Sequence, residues 1–174
     1  MKAIHRTPTI PGRRDTPPYA GTRFERAFPD EAACLEWLKQ YVYPDGIVCR
    51  NKGCERYGQV IKHHRVLSRR SYSCAACGRH VHPTADTIFH KSPTPLRQWF
   101  YAIHLMAATE CEIPAREIQR LLGVTYKTAW RICHQIRPLF ERAAPGRRPE
   151  DRRGIGIAIA RFVDAQAFES LAAR

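Results

Sequence analysis

Four cysteines at two short spacings are the residues of this chain best suited to chemistry. Cys49 and Cys54 form C-x4-C, Cys74 and Cys77 form C-x2-C, and 19 residues separate the pairs. Two such knuckles can set four thiolates at the corners of a tetrahedron, as a closed structural zinc site requires. Gly78, directly after the second pair, permits the tight turn of a knuckle. His63, His64, His80 and His82 are neighbours in sequence, so three cysteines with one histidine form an alternative donor set. Four cysteines already satisfy the metal, and solvent-exposed or phosphate-facing histidines are the more economical reading. With no open coordination position expected, this zinc is structural and takes no part in catalysis. Seven cysteines is an odd total, and the close pairing speaks for metal rather than disulfides. Cys34 and Cys133 fall on apolar helical stripes and Cys111 near a turn, the places of structural thiols rather than nucleophiles.

The elements that must position this site come next. Between the pairs, Val60 and Ile61 read as one strand, Ser71 to Ser73 as a second, and Ser68, Arg69 and Arg70 as the polar turn region. Before them a helix is expected from Pro29, because Cys34, Trp37, Leu38, Tyr41 and Val42 repeat on one face. Asp30 and Glu31 suit its first turn, and Pro44 with Gly46 ends it. After the cysteines, Thr94 is expected to cap a core helix that begins at Pro95 and carries Leu96, Trp99, Phe100, Ile103 and Met106. A second helix starts at Pro114, turns Ile118, Leu121 and Leu122 inward, and ends at Gly123.

Thr125 then caps a third helix whose Ala129, Ile132, Cys133 and Ile136 form an inward stripe. Lys127, Trp130, Arg131 and His134 repeat on another face. A helix, a short glycine-containing turn and a helix make the helix-turn-helix arrangement, whose second helix enters the major groove of DNA. Lys127 and Arg131 suit contacts to guanine or phosphate. Trp130 and His134 on the same helix, and Arg69 and Arg70 in the hairpin turn, complete the expected DNA-binding set. The bland alternative is a three-helix bundle with one solvated basic face.

Composition agrees with a nucleic-acid partner. The 174 residues hold 29 Lys plus Arg against 16 acidic residues, a formal charge of +13, which favours double-stranded DNA over an acidic small molecule. No run approaches the roughly 18 apolar residues of a spanning helix, and the first 30 residues lack a secretory apolar core, so a cytoplasmic, nucleoid-associated protein is expected. Residues 1–23, rich in Pro, Gly and Arg, read as a flexible basic arm. Residues 24–92 hold the first helix and the ribbon, 93–142 the helix-turn-helix unit, and 143–174 a linker with an unassigned tail. That tail, Ile155 to Leu171, alternates like a strand at its start and is helical in pattern at its end. The expected fold class is α+β: a small four-cysteine zinc ribbon, as a β-hairpin or three strands, flanked by helices and followed by a three-helix helix-turn-helix unit.

Several runs carry a family resemblance: Thr87-Ile88-Phe89-His90-Lys91-Ser92, then Pro95-Leu96-Arg97 with Trp99-Phe100, then Gly123 through Trp130, and Ile136-Arg137. Over about residues 24 to 137 the chain resembles the N-terminal part of bacterial zinc-ribbon insertion-sequence transposases. The resemblance implies a DNA-binding region that, in that family, precedes an RNase H-like domain whose carboxylate triad holds two metal ions. Here 37 residues follow Arg137, and their acidic members are Glu141, Glu150, Asp151, Asp164 and Glu169. A two-metal site needs carboxylates brought from distant parts of a fold, so this chain is expected to bind DNA without catalysing strand transfer. Two other readings stand beside it. The chain can be a targeting component whose catalytic domain comes from a full-length transposase, or a zinc-ribbon module for protein interaction or self-association.

Overall fold

The fold is seen in a computed structural model, which describes residues 22–141, 155–156 and 158–163. The basic arm up to residue 21 and the linker expected from 143 to 154 lie outside the described residues. Where the arm was expected to continue, Thr22 caps a short helix α1 (Arg23–Ala27), accepting from the Glu25 N–H at 3.3 Å. No period in the sequence announces this helix, because its five residues are too few to display one. It delivers Phe24, and Phe28 just beyond it, into the core, both fully buried.

Helix α2 (Glu31–Val42) begins as its sequence dictates, with the Asp30 carboxylate accepting from the Ala33 N–H at 2.7 Å. Its buried face is Cys34, Leu35 and Leu38, with Trp37, Tyr41 and Val42 packed partly against the core. Strands β1 (His63–Val66), β2 (Ser71–Cys74) and β3 (His80–Val81) form an antiparallel sheet in that order. His63 stands opposite Cys74 and Val66 opposite Ser71, and Tyr72 stands opposite Val81.

The strand expected at Val60 and Ile61 lies elsewhere, because that backbone is occupied in closing the first knuckle. Val60 forms an isolated bridge with Val48, and the Ile61 N–H donates to the Ile47 carbonyl at 3.3 Å. The hairpin therefore starts only at His63. Gly46, at φ +94°, passes so close beneath Val60 that an added Cβ would lie 2.7 Å from its Cγ1.

Helices α3 (Leu96–Ala108), α4 (Ala115–Leu122) and α5 (Tyr126–Glu141) follow. In α3 the expected apolar series is fully buried. Its expected Thr94 cap is not made, since Pro95 is the cap residue and offers no side-chain acceptor. Instead Glu31 reaches across from α2 and accepts from the Leu96 and Arg97 N–H groups at 2.9 and 3.0 Å. A carboxylate at a helix N-terminus both satisfies orphan donors and opposes the positive end of the helix dipole.

One apolar core joins α1 to α5 with Ile155, Ile159 and Val163. The strand-like start expected at Ile155 is corrected: residues 155–156 and 158–163 are helical. The alternation of Ile155, Gly156 and Ala158 hides an i, i+4, i+8 stripe of Ile155, Ile159 and Val163, all buried. Phe162 lies against Phe28 and Trp37, with ring centroids 5.3 and 6.0 Å away. Among the described residues a second, much smaller cluster holds Cys49, Cys54 and Cys74, with Ile61 and Cys77 at its edge.

Candidate metal centre and nucleic-acid interface

The sulfurs of Cys49, Cys54, Cys74 and Cys77 all lie within 4.8 Å of one another. The Cys49 and Cys77 sulfurs are 3.8 Å apart. A tetrahedral ion with metal–sulfur bonds of about 2.3 Å has sulfur–sulfur edges of about 3.8 Å, so the cluster has the dimensions of a four-thiolate metal site. Each pair sits on its own turn. In the first, the Cys54 N–H donates to the Asn51 carbonyl at 2.9 Å and the Arg56 N–H to the Cys54 sulfur at 3.4 Å. In the second, the Gly78 N–H donates to the Cys74 carbonyl at 2.9 Å, with Gly78 at φ +69°. Backbone N–H groups directed at sulfur stabilise the thiolate form that a metal needs.

The thiols divide accordingly. A hydrogen bond from the Asn51 side chain and another from the Arg79 backbone hold Cys77 down at about 6. Cys54 receives the Arg56 N–H, yet burial and the neighbouring Cys49 and Cys77 sulfurs push it up to about 12. One thiolate forms readily here, and gathering four in so small a space requires a cation among them. Among the described residues no histidine joins the cluster. His63 Nδ1 meets the Ile61 carbonyl at 2.8 Å, and His80 Nδ1 meets the Ser71 hydroxyl at 3.2 Å. His64, His80 and His82 are exposed. Burial pushes the Cys34 and Cys133 thiols up, so neither is a nucleophile at neutral pH.

The second group of expected site residues lies on α5 and at the hairpin turn. Gly123, at φ +62°, ends α4 with its N–H on the Gln119 carbonyl at 3.0 Å. Thr125 restarts the chain as expected, accepting from the Thr128 N–H at 3.3 Å. Ala129, Ile132, Cys133 and Ile136 are buried, and Lys127, Trp130 and His134 are exposed. Trp130 is 53% exposed and its ring stacks on that of His134 at 5.0 Å.

Arg131 and Arg70 behave differently from their neighbours, because their guanidinium groups are engaged within the protein. Arg131 Nη2 donates to the Ser92 hydroxyl oxygen at 3.2 Å, and its guanidinium lies 5.8 Å from the Trp99 ring centroid. Arg70 donates to the Ser92 and Thr94 carbonyls, both at 3.1 Å, and pairs with Glu31 at 2.9 Å. The buried Trp99 Nε1–H completes the joint by donating to the same Ser92 hydroxyl at 3.0 Å. Of the six residues expected to face DNA, four are exposed: Arg69, Lys127, Trp130 and His134. Arg70 and Arg131 reach Ser92 from the sheet and from α5 respectively. Nothing local in the sequence marks Ser92 as the meeting point of two distant arginines.

Among known proteins, no family model matches the chain, and no solved structure matches it significantly. Over 127 residues it is 29% identical to a protein of Halobacterium salinarum described as "Uncharacterized protein in transposable element ISH50". The match covers 71% of this chain and 39% of that protein, so the chain spans about two fifths of the relative's length. The likeness ties the chain, at a coarse level, to the proteins that transposable elements encode.

Proposed function

We propose that this chain is a sequence-directed, non-catalytic DNA-binding protein of transposition, with a structural zinc on its four cysteines and a helix-turn-helix unit formed by α4 and α5. The observation that carries this reading is the outward face of α5. Beyond a left-handed glycine turn and a threonine cap, it presents Lys127, Trp130 and His134 to solvent on a chain of net charge +13. A helix so placed can lay its first two turns in a major groove, with Lys127 toward phosphate or a guanine edge. Four thiolates at tetrahedral spacing favour zinc over the harder cations that prefer oxygen ligands. The metal would fix the two knuckles and leave no position open for substrate. The likeness to a transposable-element protein supplies the biological setting.

The test is a salt titration of affinity for a selected duplex and for random duplex. Lys127→Ala is expected to weaken binding several-fold, and to reduce the salt slope by about one unit if the contact is to phosphate. Unchanged binding by Lys127→Ala, Trp130→Ala and His134→Ala, each with its fold intact, would refute the reading.

A second reading rests on the length of the relative, 61% of which has no counterpart in the match (100 less the 39% covered). The chain would then direct DNA binding for a catalytic domain supplied by another protein. Strand-transfer assays with and without an added full-length transposase distinguish the two, because only the second predicts stimulation.

A further inference from the structure

Leu67, at the tip of the β1–β2 hairpin, is 92% exposed, more than any other large apolar residue among those described. The tip that carries it is braced. Arg65 Nη1 donates to the Val66 and Arg69 carbonyls at 3.4 and 2.9 Å, and the Arg65 guanidinium lies over the Tyr72 ring. Arg70 anchors the far side of the turn to Ser92 and Thr94. The Leu67 side chain therefore has little packing role inside the protein, while the turn that carries it is held from both sides.

The surroundings of Leu67 indicate what it could meet. From residue 56 to residue 85 the chain has no acidic residue and six Lys or Arg. Lys62, His64 and Arg69 are exposed along the hairpin. A protein-docking patch groups several apolar side chains at its centre and depletes charge there. Here a single leucine stands among cations, and the other exposed large apolar residues of the ribbon, Val48, Tyr57 and Val60, all precede β1 in the chain, whereas the tip follows it. One apolar point flanked by arginine is the equipment of proteins that enter a DNA minor groove and part a base step.

The hairpin is also tied to α5. Arg70 from the hairpin and Arg131 from α5 meet on the two oxygens of Ser92, so one arginine side chain on each side of that serine separates the turn from the helix. Adjacent grooves of B-DNA lie about half of a 34 Å helical turn apart, a span that a protein can bridge with two elements on one scaffold.

We propose that the β1–β2 tip is a second DNA contact, which enters the minor groove beside the groove occupied by α5 and inserts Leu67 as a wedge at a base step, with Arg69 against the flanking backbone. This rests on the DNA-binding reading given above, and the two can fail separately. The experiment uses the full chain with its metal and a selected duplex carrying a donor–acceptor dye pair at its ends and 2-aminopurine at successive positions. Wild type is expected to bend the duplex by roughly 20–90° and to raise 2-aminopurine fluorescence at one step.

Leu67→Ala, whose fold is checked by circular dichroism and zinc content, should lose the bend and the fluorescence rise while its affinity falls by no more than about tenfold. Lys127→Ala should show the converse, weaker binding with the full bend at saturation. Bending and unstacking by Leu67→Ala equal to wild type, or their absence in wild type at saturation, would overturn the wedge and leave DNA binding standing. Failure to bind any duplex would overturn both. If Leu67→Ala changes nothing on DNA but abolishes self-association in sedimentation, the tip is a protein contact and the proposal is wrong.

Discussion

The cysteine-bearing ribbon and the helical body differ most in what lies beneath their surfaces. Between Ile47 and Val81 the buried residues are Ile47, Ser71, Tyr72 and three of the cysteines. Helix α3 by itself buries Leu96, Trp99, Phe100, Tyr101, Ala102, Ile103 and Met106. The body can offset its ordering entropy with apolar area, whereas the ribbon has too little and, on the proposed reading, would draw on metal–sulfur bonds. On that reading the chain divides its stability between two unlike sources, and the two should respond to different insults.

The largest expected effect is metal loss. Structural zinc in small finger peptides is worth about 10–16 kcal/mol in apparent binding, so stripping it should unfold the ribbon outright. Elemental analysis should find one zinc per chain, lost in the Cys74→Ser, Cys77→Ser double variant. Hydrogen exchange should then become fast in β1 and β2 while α3 and α5 stay protected. Exchange that rises equally everywhere would erase the distinction between the regions. Next comes Trp99→Ala, which empties the centre of the body and should cost about 3–5 kcal/mol in denaturant unfolding. Zinc should remain bound through the early part of that transition, and simultaneous release would show that the regions unfold as one.

Ser92 sharpens the comparison because it joins the two regions. Arg70→Ala and Arg131→Ala should each cost about 1–3 kcal/mol, and together less than their sum, since both bind the same serine. Strict additivity in a double-mutant cycle would mean that the joint does not couple ribbon to body. Capping is smaller still: Asp30→Ala should cost about 1 kcal/mol, read as a lower unfolding midpoint.

The smallest effect concerns Glu36, where α2 meets the sheet. Burial opposes its charge, yet hydrogen bonds from Lys39 and from the Tyr72 hydroxyl at 2.8 Å outweigh it and lower its pKa from the usual 4.5. A carboxylate with a lowered folded value stabilises fully above its unfolded value and loses that contribution as pH falls through the folded one. Glu36→Gln should therefore be less stable than wild type near pH 7, with the gap closing below about pH 4. A gap that persists at acid pH would assign the effect to packing.

What the sequence made legible was whatever repeats or pairs within a few residues. The cysteine spacing located the four-sulfur cluster, and the periods of α2, α3, α4 and α5 located their buried faces, with Leu35 the omission in α2. The Gly123 and Thr125 signals located the turn between α4 and α5 because each acts within its own turn. The features not legible in the sequence depend on partners far along the chain. Glu31 caps a helix 65 residues away, Val60 is diverted by Val48, and Arg70 and Arg131 are drawn inward by a serine 22 and 39 residues distant. A lone arginine on a basic chain carries no local mark of whether its charge goes to a phosphate or to a carbonyl.

The clamp at Ser92 has a consequence for target DNA. If the hairpin tip and α5 both grip the duplex, their separation is set by hydrogen bonds of 3.1 and 3.2 Å rather than by a flexible linker. Each base pair inserted between the two contacts would turn the duplex by about 34–36° and carry one groove away from its reader. Such a protein measures helical phase as well as composition. Its sites should keep an invariant spacer, and half a turn of added DNA should abolish recognition that a full turn does not restore, because a rigid clamp cannot stretch.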